Sequence, residues 1–244
     1  MKRMLLTISY DGTLYHGWQV QPNSVTVQQI LSETLEEFLN SSVSLSGCSR
    51  TDAGVHAKEF CCHFDCDDSI PPKAFIRGLS ARLPEDISVI DCRQVDDDFH
   101  ARYNAKGKTY AYYILNSNIK DPFKERYAWR IERKLDIEKM NEFCRKIVGT
   151  HDFEAFSSAG KTVADTVRTV SECFVTKNDD IIRLQITGNG FLYNMVRIIV
   201  GTCVEVSDGK ISISQIDAIF KNRKRENTGV TAPAKGLFLE KVIY

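Results

Sequence analysis

"GCSRTDAGVHAKEF", residues 47 to 60, sets an Arg-Thr-Asp-Ala-Gly turn between two stretches that read as strands, 43–48 and 58–66. A turn is served by an Asp that hydrogen-bonds its own backbone and by a Gly that accepts positive φ. It does not require Arg50, Asp52 and Gly54 together. Upstream, RMLLTISY (3–10) has the composition of a strand. TVQQILSETLEEFLN (26–40) opens on a potential N-cap, Thr26, and repeats Val27, Ile30, Leu31, Thr34, Leu35 and Phe38 at helical spacing. Downstream, PPKAFIRGLSARL (71–83) begins with prolines, which a helix tolerates in its first turn, and DISVIDCRQV (86–95) closes with a strand. The order is β-α-β-β-α-β, the ferredoxin-like pattern.

The second half has a similar order of elements without clear sequence identity to the first. A strand at 107–116 leads through a long connection to a helix at 136–148. Strands at 167–176 and 181–187 precede helices at 191–206 and 212–222 and a last strand at 236–243. The expected fold is α+β: two ferredoxin-like (RRM-like) halves, residues 1–100 and 101–244, whose antiparallel sheets join around a central cleft.

Apolar residues make up 43% of the 244 and charged residues 26%, a globular composition. No stretch reaches the ~20 apolar residues that cross a bilayer, so no membrane association is expected. The apolar run in MKRMLLTISYDG soon meets Asp11 and Gly12, too early for a signal peptide. The eight cysteines are scattered, and Cys61 and Cys62 are adjacent, which suits buried, reduced thiols in the cytoplasm better than a disulfide framework. Cys62, His63 and Cys66 lack a second ligand pair, and on a strand His63 points away from the two thiols, so no metal site is expected.

The formal charge is zero, yet it is unevenly spread. Residues 65–98 hold nine acidic and four basic residues; residues 102–134 hold nine basic and three acidic, and KNRKR (221–225) has four basic residues in five. Two basic regions on a neutral chain suit a polyanion bound at one face, although either alone reads as solvated surface.

The candidates for chemistry are Asp52 with its neighbour Arg50, Arg197 and Tyr110. Asp52 is either a turn-former or a carboxylate kept ionised and oriented by a guanidinium, as a nucleophile or base requires. Arg197 lies in the apolar helix of TGNGFLYNMVRIIVG (187–201), where it must find an anion or snorkel to solvent. Tyr110, in AKGKTYAYYIL (105–115), follows Lys106 and Lys108; an aromatic beside cations is how single-stranded bases are gripped. Tyr112 shares its face, and Tyr113 takes the other. The loop YDGTLYHGWQVQP (10–22) offers His16, Trp18, Gln19 and Gln21, either packed or held out for RNA.

YDGTLYHGWQVQ, SRTDAGVHA, FHARYNAKGKTYAYYI, GNGFLYNMVRIIVGT and APAKGLFLEKVIY, in this order from the first strand to the last residue, resemble the tRNA pseudouridine synthase A family. The resemblance implies a cofactor-free, homodimeric isomerase acting on uridines 38, 39 and 40 in the anticodon stem-loop of tRNA. It makes Asp52 the nucleophile and Arg50 the arginine that helps eject the base. It lays Tyr110 against the uracil and pairs Arg197 with the carboxylate. Cys48 and Ser49 stand where the family usually has a small pair such as Ala-Gly. No P-loop or dinucleotide fingerprint occurs. Two rivals from other classes are an RNA-binding protein of two RRM-like units and an Asp-nucleophile hydrolase. The first lacks the aromatic RNP1 pattern, and the second wants a partnered carboxylate where Asp52 has arginine.

Overall fold

Strand β1, Lys2–Tyr10, is almost wholly buried because it has neighbours on both edges. It pairs antiparallel with β3, His56–Cys66, and with β4, Ile87–Val95. The computed structural model describes residues 1–158 and 165–244. Helix α1, Val27–Leu39, starts where Thr26 accepts a hydrogen bond from the Gln29 N–H and stops at Asn40 in the left-handed region (φ 50°). Helix α2, Pro72–Ser80, buries Phe75 and Leu79. Phe75 meets Phe64 of β3 at 5.2 Å and Phe38 of α1 at 5.4 Å between ring centroids, so both helices share one core with the sheet. This is the β-α-β-β-α-β unit read from the sequence.

The strand expected at 43–48 is shorter. Only β2, Ser46–Gly47, pairs with β3. Just before it, the Leu45 carbonyl accepts from Gln28 Nε2 rather than from a neighbouring strand. A side chain of α1 thus takes the place of a ladder bond.

Two compact units are resolved, Met1–Lys106 with Phe238–Tyr244, and Gly107–Leu237. The sequence carries the second half through to Tyr244 from a division near residue 100. In the structure β10, Leu237–Ile243, pairs in parallel with β3 through Phe238↔His56 and Leu239↔Ala57. The last seven residues therefore belong with the first unit.

In the second unit β5, Gly107–Leu115, runs antiparallel to β9, Ile181–Gly188, and β9 antiparallel to β8, Val167–Asn178. Two short strands were not anticipated, β6 (Trp129–Arg130) on β5 and β7 (Gly149–Asp152) on β8. Helix α3, Ile137–Ile147, is capped by Asp136, which accepts from the Glu138 and Lys139 N–H groups, and buries Met140, Phe143, Cys144 and Ile147. Helix α4, Met195–Ser207, has ten of its thirteen residues buried, and α5, Ile216–Asn222, follows a short 3-10 turn. No helix among the described residues is long and apolar enough to cross a membrane.

All eight cysteines are buried, as read. His63 is buried too, and its Nδ1 accepts the Ala101 N–H at 3.1 Å. Burial, with neighbouring His100 adding to it, lowers its pKa to about 4. The unfolded chain, with an ordinary imidazole near 6.5, then binds a proton that the folded chain refuses. Stability is complete above ~6.5 and falls as pH drops from there towards 4, by up to roughly 3 kcal/mol from this group. Urea midpoints at pH 7.5 and 5 should diverge less for His63→Gln than for the parent protein; equal divergence would remove His63 as the cause.

Candidate active site

The turn bearing Asp52 is clamped from outside by the loop that follows β1. Within the turn, the Val55 N–H donates to the Asp52 carbonyl at 3.1 Å, with Gly54 at φ +74° in the position that demands positive φ. The Trp18 N–H donates to the Thr51 carbonyl (3.2 Å), and the Gly54 N–H donates to the Tyr15 carbonyl (3.2 Å). The hydroxyls of Tyr10 and Thr51 share a buried hydrogen bond of 2.8 Å. Gly17, at φ +85°, makes this contact possible, since a Cβ there would stand 2.4 Å from the Thr51 carbonyl oxygen.

The clamp is itself anchored. The Tyr15 hydroxyl donates to Asp86 at 2.6 Å. Burial, then the Asp86 bond, pushes its pKa above the ordinary tyrosine value, so it remains a donor. Trp18 is buried and stacks on Phe60 of β3 at 4.1 Å; of the two readings of that loop, packing holds for Trp18, while His16, Gln19 and Gln21 are exposed. His56 Nδ1 lies 3.0 Å from both the Gly12 N–H and an Asp11 oxygen. Unprotonated there it accepts from Gly12; protonated there it donates to Asp11.

The result is a carboxylate on a fixed stage. Thr51 and Val55 are buried on either side, Asp52 is half-buried, and Ala53 is exposed beside it. Arg50 is exposed on the same loop. Cys48 is buried and donates its N–H to the Cys61 carbonyl at 2.8 Å, so the departure from a small pair is absorbed at the end of a strand. Ser49 is half-buried.

Tyr110 and Arg197 belong to the second unit. Tyr110 sits on β5 opposite Ile186 and meets Phe191 edge to face at 5.2 Å. Tyr112, on the same face, is fully buried and donates its hydroxyl to the Pro233 carbonyl (2.8 Å), a packing role; Tyr113 is half-buried. Arg197 differs from expectation in position. The helix starts at Met195, not near 191, because the chain first turns at Asn194 in the left-handed region (φ 60°). Arg197 is therefore in the first turn, and its guanidinium donates to Asn194 Oδ1 and to the Ala232 carbonyl, both at 2.7 Å. Those two oxygens are neutral partners that aim the group from both sides of the helix start. The Ala232 N–H returns a bond to the Arg197 carbonyl at 3.1 Å.

The supports of the site were not legible as such. Tyr15, Gly17, His56 and Asp86 carry no chemical signature in the sequence. Ala232 acts through its backbone, which sequence does not reveal.

The sequence profile of a family described as tRNA pseudouridine synthase matches residues 6–104 and 143–244. The chain belongs to this family. It is 46% identical to the tRNA pseudouridine synthase A of Clostridium kluyveri and 44% identical to those of Thermoanaerobacter sp. (strain X514) and Acetivibrio thermocellus, in each case over the full length of both chains. A solved chain from a Cbf5-Nop10-Gar1 complex is similar over 97% of this chain and 47% of its own, at 12% identity and a TM-score of 0.33, which adds nothing to the assignment. The family resemblance read from the five motifs is thus correct, and the enzyme is an isomerase that makes pseudouridine in tRNA.

Gly17→Ala forces either the 51–55 turn or the 15–18 loop to move, and it strains φ as well. It should lower stability by more than ~1 kcal/mol in a urea titration. Turnover, measured where the variant remains folded, should fall further than stability alone explains.

Proposed function

We propose that Asp52 is the catalytic carboxylate and that the enzyme acts on uridines 38, 39 and 40 in the anticodon stem-loop of tRNA. The observation that carries this reading is the turn itself. Four hydrogen bonds, one within the turn and three from Tyr10, Tyr15 and Trp18, fix residues 51–55, yet Asp52 stays partly open beside an exposed alanine. Fixing a reacting group in advance is how an enzyme avoids the cost of orienting it during the reaction.

The isomerisation breaks the bond between N1 of uracil and C1′ of ribose, rotates the ring, and forms a bond from C5 to C1′. The proton on C5 leaves, and N1 gains one, so no electron is transferred overall. An ionised Asp52 serves each opening that the chemistry permits: addition to C6, attack on C1′, or removal of the 2′ proton. Tyr110 lies against the displaced uracil in this reading. Arg50 helps hold the base out of its stack, whose disruption costs a few kcal/mol. Arg197 favours the charged form of the carboxylate.

Asp52→Asn removes the negative charge while keeping shape. Incubating it with uridine-labelled tRNA transcript and digesting to nucleosides should yield no pseudouridine, with tRNA binding within about twofold of the parent. Substantial single-turnover conversion by this variant would refute the assignment. In the parent reaction, free uracil would indicate a hydrolase, and bound but unchanged uridine a mere binder. Transcripts with cytidine at 38, 39 or 40 locate the target: each change should remove one pseudouridine.

The homodimeric state belongs to the same proposal. Sedimentation equilibrium should return twice the 27.7 kDa of one chain; a single-chain mass at micromolar concentration would reject it.

A further inference from the structure

Residues 99 to 104, Phe-His-Ala-Arg-Tyr-Asn, form no helix or strand, yet the segment is held throughout. The Phe99 carbonyl accepts from Arg3 Nη1 at 3.1 Å. The His100 N–H donates to Asn104 Oδ1 at 2.7 Å, and the Asn104 N–H returns to the His100 carbonyl at 3.0 Å. The Ala101 N–H donates to buried His63, and the Ala101 carbonyl accepts the Tyr244 hydroxyl at 2.8 Å. His100 Nδ1 accepts the N–H groups of Arg102 and Tyr103.

This framework supports a row of rings that leads from the core to solvent. His63 meets His100 at 4.6 Å, His100 lies against Tyr103 at 4.3 Å with 34° between planes, and the Arg102 guanidinium sits 5.8 Å from the Tyr103 centroid. With both neighbours in place Tyr103 is still 76% exposed. We propose that Tyr103, with Arg102 beside it, is a stacking platform for an unpaired base of the RNA substrate, additional to the base that is isomerised. The proposal rests on the reading that tRNA is the substrate.

A single exposed aromatic is ordinary on a protein surface. What distinguishes Tyr103 is that its ring lies against a tilted imidazole, at 4.3 Å, on a backbone segment held by several hydrogen bonds. The exposed residues next to it in sequence are Arg102, Asn104 and Lys106, two cations and an amide rather than further apolar side chains, with the exposed Asp96, Asp97 and Asp98 upstream. An apolar protein partner would want a contiguous apolar patch. A flat ring and a planar guanidinium beside a lysine suit a base and its phosphate. The base must be unpaired and unstacked, because a duplex covers both of its faces.

The test is equilibrium binding of a tRNA transcript to the full chain and to Tyr103→Ala, Tyr103→Phe and Arg102→Ala. Tyr103→Ala should weaken binding roughly five- to hundredfold, the effect of ~1–3 kcal/mol of stacking. Tyr103→Phe should stay within about twofold, since stacking needs no hydroxyl. The dependence of log affinity on log salt should be unchanged in Tyr103→Ala and shallower by about one in Arg102→Ala. Turnover by Tyr103→Ala should show a raised KM at unchanged kcat. Should Tyr103→Ala melt lower than the parent, Tyr103→Leu, which keeps an apolar contact to His100 without a ring, carries the same comparison. Binding by the ringless variants within about twofold of the parent would overturn the platform, and so would Tyr103→Phe binding as weakly as Tyr103→Ala. A parent protein that binds tRNA but makes no pseudouridine would instead reject the function, while the Tyr103 comparison would still be read from affinity.

Discussion

The turn that carries Asp52 depends on hydrogen bonds made to it by a second loop, in addition to the one it makes within itself. Loop 11–25 and turn 51–55 each lack a ladder of their own, and each supplies what the other needs: Trp18 donates to Thr51, Gly54 donates to Tyr15, and Tyr10 meets Thr51. Buried backbone groups without partners would cost free energy, so the two segments are stable only together. This arrangement lets the chain place a charged side chain on irregular structure without giving up its rigidity. The glycine at 17 is the geometric condition for it, because the loops approach closer there than any side chain would allow.

The same logic of mutual support governs the start of α4. A helix with ten of thirteen residues buried has its N-terminal N–H groups to satisfy and almost no polar side chains with which to do so. Asn194 makes no side-chain cap to the backbone; its amide oxygen is spent on the Arg197 guanidinium. The segment around Ala232 both receives from Arg197 and donates to it. Close approach is again required, because a Cβ on Gly201 would collide with the Val230 carbonyl. An arginine in an apolar helix is thus not a defect tolerated by snorkelling. Its guanidinium is oriented in part by two oxygens, the Asn194 amide and the Ala232 carbonyl.

Most of the fold was legible because its elements are periodic and long. The Thr26 cap and the prolines at the start of α2 each express a local rule that tertiary structure respects. Misreadings fall where a local rule is overridden from a distance. The strand at 43–48 shrinks to two residues because Gln28, a helix side chain, captures a carbonyl. The helix expected from 191 begins at 195 because Asn194 adopts a left-handed conformation that its sequence neighbours do not announce. Strand β10 belongs with the first unit through non-local contacts, the pairing with β3, the Phe238–His56 stack and the Tyr244 bond to Ala101 among them, which no composition encodes. Asp52, Arg50, Tyr110 and Arg197 are proposed from the motifs, whereas Tyr15, Gly17 and Asp86, which support the Asp52 turn through geometry, could not be named from the sequence.

A neutral protein that must hold a polyanion faces an electrostatic difficulty that its charge distribution resolves. Some cations in the basic segments are already paired: Lys124 with Asp121 and Asp180, and Arg133 with Asp208. Such pairs are worth little individually at the surface, and they cannot offer full charge to a phosphate. Binding strength therefore cannot come from counting lysines and arginines. It has to draw on contacts that cost little to order, namely planar groups already oriented by the fold and backbone segments already fixed. A substrate whose bases are displaced from their stack presents flat, poorly solvated faces to such groups. In each unit the side chains with candidate roles are held by the fold: the Asp52 turn by Tyr15 and Trp18, and Arg197 by Asn194 and Ala232.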